Sequence, residues 1–347
     1  MPSRSVNAAF PGSNGNIAFS NFEFKDSGVV NVLSQQSFDS GSLSSLNSEF
    51  FFFSPRYSSD GKRITVSGFG DLGNDNESNI YTMNSDGSNV TNITNIDQSE
   101  FPDRSYYRAA YSSFDKSGSK IAFTGYWDEL GDRINRIYSI NTVGSGVQEL
   151  TNSSGGVCDM YPVYSPDGNK IAFLRVDEES DQNTTSIFTM NSDGTDQQLV
   201  KVINAQGAGD CLASGAFEDF SFSQSVLYEG EGISTIDWSP DGSKIVYSEA
   251  TSADEGTVTT YKDTIYVTDL NGNSQEVIST TSSSDNAVMQ NAANNPPEDL
   301  ELTGLANPQF TPDGKIIYKR MFVSVPYVYN EPNALWEQDG GSESTVA

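Results

Sequence analysis

The chain contains no histidine, and that absence removes Ser-His-Asp triads, Cys-His nucleophiles and His-ligated zinc together. Two cysteines cannot complete a four-ligand structural zinc site, and neither a P-loop nor a dinucleotide-binding fingerprint opens a helix in the sequence. Carboxylate chemistry remains, because Asp and Glu total 47. A pair of acids roughly 5–9.5 Å apart across a cleft could hydrolyse a glycosidic bond, but no spacing singles such a pair out. Oxygen donors at alternate positions could instead wrap a hard cation such as calcium. Two segments have that spacing, one with Asp71, Asp75 and Glu77 and the other with Asp177, Glu179 and Asp181. Neither carries the Gly and Glu of an EF-hand loop, and solvated acidic loops account for both, since runs of like charge are usually exposed. No cofactor is expected beyond that calcium.

The elements that must position these groups are repeated. Ser165-Pro166-Asp167-Gly168-Asn169-Lys170-Ile171-Ala172-Phe173 and Ser239-Pro240-Asp241-Gly242-Ser243-Lys244-Ile245-Val246-Tyr247 are the clearest copies of a turn followed by a short apolar strand. Weaker copies place their turn glycines at Gly15, Gly61, Gly118 and Gly314. The interval varies between 46 and 74 residues, a range that belongs to solenoids, propellers and arrays. Ser at the first corner, Pro at the second and Gly where a positive φ is needed make a tight hairpin connection. The Asp of each turn bonds nearby backbone amides, which makes it structural before it is anything else.

A second unit follows each first one, as in Ile80-Tyr81-Thr82-Met83-Asn84-Ser85-Asp86-Gly87 and Ile187-Phe188-Thr189-Met190-Asn191-Ser192-Asp193-Gly194. Two hairpins per repeat are four antiparallel strands, the content of one propeller blade. The expected fold is therefore all-β, a single six-bladed β-propeller of four-stranded antiparallel blades. The blades are expected near residues 6–47, 50–95, 106–152, 158–203, 232–281 and 303–347. Ser344 to Ala347 would supply the last outer strand, and Val6 to Phe10 either a first inner strand or a clasp on the sixth blade.

Ser-Pro-Asp-Gly-x-Lys-Ile followed by Ile-Tyr-x-Met-Asn-x-Asp-Gly resembles the TolB-like propeller repeat, over nearly the whole chain from Pro11 to Gly341. The resemblance implies a propeller, protein partners and a place at the cell envelope. The matching residues belong to turns and core, so it implies little about activity, and the separate α/β domain that precedes the propeller in TolB has no counterpart here.

A net charge of −28 repels nucleic acid and anionic lipid head groups, so neither is expected as a partner. No stretch approaches the roughly 20 apolar residues of a membrane span, and Met1 to Phe10 lacks the apolar core of a secretory signal. The family resemblance and the Ser, Asn, Thr and Gly richness favour an extracytoplasmic protein, periplasmic or at the cell surface, whose leader has been removed. Cys158 and Cys211 both fall in crossovers at one end of adjacent blades. A disulfide between them would close a separation of 53 residues and contribute ~4 kcal/mol in the chain-entropy model; two buried thiols are the alternative.

In a four-stranded meander the first and third connections share one end, and the second connection and the crossover to the next blade share the other. The Asp-Gly turns occupy the first end. The long, variable segments occupy the second and hold more than half of the 47 acids. Long connections on a rigid scaffold gather binding residues, so a ligand site is expected there. Arg56, Tyr107, Arg108, Asp159, Tyr161 and Asp237 lie close to that channel mouth and could hold a peptide or a sugar, with ordinary blade packing as the alternative. The function expected is a noncatalytic, monomeric protein-binding or scaffolding module. A calcium-stabilised surface protein and a carbohydrate-active enzyme with paired carboxylates are the competing expectations.

Overall fold

The computed structural model describes residues 16–25, 28–37, 42–47, 50–69, 78–94, 107–129, 132–154, 156–177, 184–203, 235–254, 258–285, 300–325 and 344–346. Its strands fall into separate antiparallel sheets, each a meander of consecutive strands. The first holds β1 (Asn16–Lys25), β2 (Gly28–Ser37) and β3 (Leu43–Asn47). The second holds β4 (Phe51–Tyr57), β5 (Arg63–Phe69), β6 (Ser78–Asn84) and β7 (Thr91–Asn92). The third holds β8 (Tyr107–Phe114), β9 (Lys120–Glu129), β10 (Asp132–Asn141) and β11 (Gln148–Glu149). The fourth holds β12 (Val157–Tyr164), β13 (Lys170–Asp177), β14 (Thr184–Asn191) and β15 (Gln198–Ile203). The fifth holds β16 (Ile236–Trp238), β17 (Lys244–Asp254), β18 (Val258–Asp269) and β19 (Ser274–Asp285). The last holds β20 (Leu300–Phe310), β21 (Ile316–Val325) and β22 (Ser344–Val346).

This is an all-β propeller of four-stranded antiparallel blades, as expected. The finer expectation of six equivalent four-stranded blades is not met among the described residues, because four sheets have four strands and the first and last have three. Val6 to Phe10 lie outside the described residues, so neither role expected of them is addressed. The C-terminal strand pairs directly with β21, Ile317 opposite Val346, and thus stays in the last sheet as its third described strand.

The repeated turns form for the reasons their composition implies. The Gly61, Gly118, Gly168, Gly242 and Gly314 amides each donate to the carbonyl three residues back, at 2.8–3.0 Å. In the Ser-Pro-Asp-Gly copies the Asp carboxylate accepts the Ser hydroxyl, 2.7 Å for Ser165 to Asp167 and 2.6 Å for Ser239 to Asp241. Those bonds hold the carboxylates below the usual range, Asp241 at about 2, with the serine hydroxyl as the main cause.

The second turn of a blade does a further job. Gly194 has φ +90°, and a Cβ there would meet the carbonyl oxygen of Leu150 at 2.5 Å. The turn therefore docks on the outer part of the preceding blade through a bare backbone. Gly314 has a similar φ, +83°, with nothing within 4 Å of a would-be Cβ. Gly314→Ala should cost ~1 kcal/mol from backbone conformation alone, while Gly194→Ala should cost ~2–3 kcal/mol. Equal urea midpoints for the two variants would show that the blade contact at Gly194 contributes nothing.

The innermost strands share an irregularity. In β4, β8, β12 and β20 one extra residue interrupts the ladder, after Phe53, Ala110, Met160 and Ala306. The first bulge residue is left-handed at Ser54, Tyr111 and Tyr161, with φ of 51°, 53° and 57°. Proline follows in Ser54-Pro55, Tyr161-Pro162 and Asn307-Pro308, where a missing N–H leaves no orphaned donor. The bulge amides are taken up by the blade before. Tyr111 N–H donates to Ser67 Oγ at 2.8 Å, and Tyr161 N–H to Thr124 Oγ1 at 3.1 Å. Apolar clusters fill the same blade-to-blade spaces, such as Ala122, Ile137 and Leu150 of one blade with Tyr164, Ile171, Phe173 and Met190 of the next.

Candidate functional site

Equivalent residues share one rung of the inner strands, directly after the bulge in β4, β8, β12 and β20. Arg56 pairs with Thr65, Ser113 with Ala122, Val163 with Ala172, Asp237 with Val246 and Gln309 with Ile317. Each immediately precedes the aromatic residue that leads into a first turn: Tyr57, Phe114, Tyr164, Trp238 and Phe310. All five rung residues line one cavity on the propeller axis. The repeat thus keeps the aromatic residue as blade packing and varies its neighbour, which faces the channel.

Arg56 crosses that channel. Its Nη1 donates to Asp237 Oδ1 at 3.1 Å and its Nη2 to the Ile236 carbonyl at 3.0 Å, joining the second blade to the fifth. The other carboxylate oxygen, Asp237 Oδ2, accepts the Phe310 amide at 3.0 Å, so one buried acid ties three sheets together. The Asp237 side chain is 4% exposed and that of Arg56 21%. Burial raises the Asp237 pKa above the ordinary carboxylate value despite the opposing pull of the guanidinium.

The other predicted residues have different places. Asp159 is fully enclosed and is held bidentately by Arg175, Nε to Oδ1 at 2.6 Å and Nη2 to Oδ2 at 2.9 Å. Arg175 also donates to Gln197 at 3.0 Å and lies 4.7 Å from the centre of the Phe188 ring. Asp159 is therefore paired across strands within its blade and does not line the cavity that holds Arg56 and Asp237. Tyr161 stacks near Tyr111 with ring centres 4.0 Å apart, and Arg108 is buried. The Tyr107 side chain lies outside the described residues. Of the six residues expected to converge, Arg56 and Asp237 meet. Ser113, Val163 and Gln309 were missed, although aligning the repeats on the aromatic residue before each first turn would have found them.

That cavity is also lined by Ser59, Asp115, Lys116, Ser165 and Pro166 of the first turns. A second hollow, about 500 Å³, shares Lys116, Ser165 and Pro166 with the first and is lined by the turns at Ser165-Pro166-Asp167, Pro240-Asp241-Gly242 and Thr311-Pro312, with Lys170, Trp238 and Leu270. Asp71, Asp75, Glu77, Glu179 and Asp181 lie outside the described residues, and Asp177 ends β13. Among the described residues no group of three or more acidic or Cys side chains could hold a metal ion. Cys158 is fully buried and no free cysteine occurs among the described residues, while Cys211 lies outside them. No helix among the described residues is long and apolar enough to cross a membrane.

Two further acids have raised pKa values, both mainly through burial: Glu249, opposed by Lys201 and Lys262, and Asp263, pushed up to about 6. They occupy successive rungs of the β17–β18 ladder, Glu249 opposite Thr264 and Asp263 opposite Ala250. Successive rungs project to opposite faces of a sheet, so the two do not face one cleft as a hydrolytic pair must. Asp263 instead accepts the Leu305 amide of β20. Its folded pKa exceeds the unfolded one, so the folded state binds the extra proton between about 4 and 6, and stability falls as pH rises through that window. The loss should be ~1–2 kcal/mol, allowing for partial exposure. Asp263→Asn should flatten that part of the stability profile in urea unfolding from pH 4 to 7; an unchanged slope would refute the assignment.

The sequence matches no family model and, at a significant level, no curated protein. Solved structures do resemble the chain. The hydrazine synthase of Kuenenia stuttgartiensis aligns with a TM-score of 0.55 at 15% identity, over 92% of this chain and 45% of that one, so the chain spans less than half its length. A TolB candidate from Agrobacterium tumefaciens aligns with a TM-score of 0.53 at 17% identity, over 88% of this chain and 91% of that one. At such identities the likeness concerns architecture, and the chain is accordingly a β-propeller of TolB-like architecture.

Proposed function

We propose that the chain is a noncatalytic binding propeller that acts outside the cytoplasm and takes a protein or peptide partner at its channel. The observation that carries this reading is the rung of Arg56, Ser113, Val163, Asp237 and Gln309 lining one cavity, with a second hollow beside it walled by turns from successive blades. A mostly apolar concavity with a few convergent polar groups is the usual form of a binding site. The buried acids favour the same reading, since Asp159 and Asp237 are each held by an arginine and Glu249 and Asp263 face opposite ways. Six blades closing into one ring, and a Cys158–Cys211 disulfide in an oxidising compartment, complete the proposal.

Two assays test it. Incubation with neutral and acidic polysaccharides, following both reducing ends and unsaturated products, should give no turnover. Turnover abolished by Asp237→Asn in a folded variant would replace the binding module with a carbohydrate-active enzyme. Non-reducing peptide mapping should yield one Cys158–Cys211 linked fragment; two alkylatable thiols would sink the disulfide and weaken the extracytoplasmic placement.

A further inference from the structure

We infer that Tyr111 and Tyr161 form an oxidative cross-linking site, at which one-electron oxidation joins the two rings as dityrosine and ties the third blade to the fourth through their innermost strands. The pair is placed by the backbone. Each tyrosine is the first bulge residue of its strand, with φ of 53° at Tyr111 and 57° at Tyr161. Each amide is held by a hydroxyl of the blade before, Ser67 for Tyr111 and Thr124 for Tyr161. The same bulge repeated in adjacent blades brings the rings to 4.0 Å between centres, at an interplanar angle of 36°. The other ring pairs among the described residues lie at 5.3 Å or more. At the shorter separation carbons of the two rings are in van der Waals contact.

Access and proton release single out the same two phenols. Tyr57, Tyr81, Tyr138, Tyr164, Tyr247 and Tyr318 are buried, whereas Tyr111 and Tyr161 are partly exposed. Oxidation of tyrosine at neutral pH releases the phenolic proton, so a phenol that holds its proton tightly is the poorer electron donor. Tyr126, whose ring centre is 6.5 Å from that of Tyr111, is of that kind, because burial raises its pKa well above the ordinary tyrosine value. Tyr266 is partly exposed, but its described ring neighbour is the buried Tyr247, 5.4 Å away between centres. No free cysteine occurs among the described residues to reduce a tyrosyl radical first.

The chemistry balances with an external oxidant. Two equivalents of a diffusible one-electron oxidant, such as the nitrogen dioxide radical, each accept one electron and become nitrite, and each tyrosine releases its phenolic proton. The two phenoxyl radicals couple in a carbon–carbon bond between ring carbons ortho to the hydroxyls. The hydrogen on each of those carbons then moves to the oxygen of its own ring, which restores both phenols. The pair has lost two electrons and two protons in all. A neutral or cationic oxidant is the kind that reaches this chain, since a net charge of −28 repels anions.

The test uses the full chain, dilute, with tris(bipyridine)ruthenium(III) generated by light and persulfate as the cationic oxidant. Dityrosine emission should appear in the monomer fraction, in a product lighter by two hydrogens. Tryptic mapping under reducing conditions should link the fragment 109–116 to the fragment 137–170, with the bond on Tyr111 and Tyr161. Tyr111→Phe and Tyr161→Phe each keep a ring in place and remove one phenol, and each should lower the monomer emission at least tenfold; Tyr126→Phe should leave it unchanged. Unfolding in urea before illumination should lower the yield at least fivefold, because the pair is then no longer held together. The cross-linked chain should unfold at a higher urea concentration than the parent, since a link across 50 residues restricts the unfolded chain as a disulfide does. Parental emission in either Tyr111→Phe or Tyr161→Phe, a bond mapped to another tyrosine, or no monomer emission once half of the tyrosine has been oxidised overturns the assignment.

Discussion

Arg56→Gln is expected to destabilise the protein by ~3–5 kcal/mol at pH 7, an effect out of proportion to the loss of one partly exposed side chain. The cost lies with Asp237. Its carboxylate is 4% exposed, and without the guanidinium it keeps only bonds from neutral backbone amides, those of Phe310 and Trp238. A buried charge stripped of its counter-ion costs far more than the intact pair contributes. Two companion results follow. Asp237→Asn placed on the Arg56→Gln background removes the uncompensated charge and should restore at least half of the lost stability.

The deficit of the single variant should also shrink as pH falls from 7 toward 5. Burial already raises the Asp237 pKa, and the opposing influence of Arg56 is gone in the variant, so the folded pKa lies further above the unfolded one. The folded variant takes up a proton before the unfolded chain does, and its stability declines as pH rises through that folded pKa. Urea unfolding of the three proteins at pH 5 and pH 7 measures all of this. A single variant as stable as the parent at pH 7, or a double variant no better than the single, would mean that the channel-spanning pair has no energetic role.

Trp238→Ala should have a loss of similar size, ~3–5 kcal/mol, for a different reason. The indole is 1% exposed and belongs to the cluster that joins the fourth blade to the fifth, with Met160, Val163, Leu174 and Ile187 on one side and Ile245 and Tyr247 on the other. Its Nε1–H donates to the Val163 carbonyl at 3.0 Å. Alanine leaves a cavity between two rigid sheets that cannot close around it, and it strands a buried acceptor. Trp238→Phe keeps most of the volume but loses the hydrogen bond, and should cost ~1–2 kcal/mol. Chemical denaturation separates these two contributions. Equal costs for Ala and Phe would assign the whole effect to the hydrogen bond and none to packing.

Much of the fold was legible because the repeat carries local chemistry. Gly61, Gly118, Gly168, Gly242 and Gly314 have positive φ values, as a Ser-Pro-Asp-Gly type of turn requires whatever surrounds it. Strands such as Lys170–Asp177, buried on both faces, read as apolar runs for the same local reason. The blade count was less legible. At the two ends of the chain the repeat degenerates, and the described strands there form three-stranded sheets.

The candidate site was legible only in part. Arg56, Asp159 and Asp237 were all expected near the channel mouth from their places close to the inner strands, but Asp159 has a different fate. The difference is Arg175, directly across the β12–β13 ladder from Asp159, a pairing decided by register and not by composition. The Glu249 and Asp263 carboxylates, both plausible acids by type, are separated by a sheet for the same reason.

The sequence by itself therefore determined the turns, the strand periodicity, the excluded histidine chemistry and the all-β repeat architecture, since each depends on contacts within a few residues. Tertiary structure decided which residues share the axial cavity, which acid meets which arginine and that Arg56 reaches a partner 181 residues away. Those outcomes depend on how blades distant in sequence are brought around a common axis, and no local pattern of residue types encodes a distance across that axis.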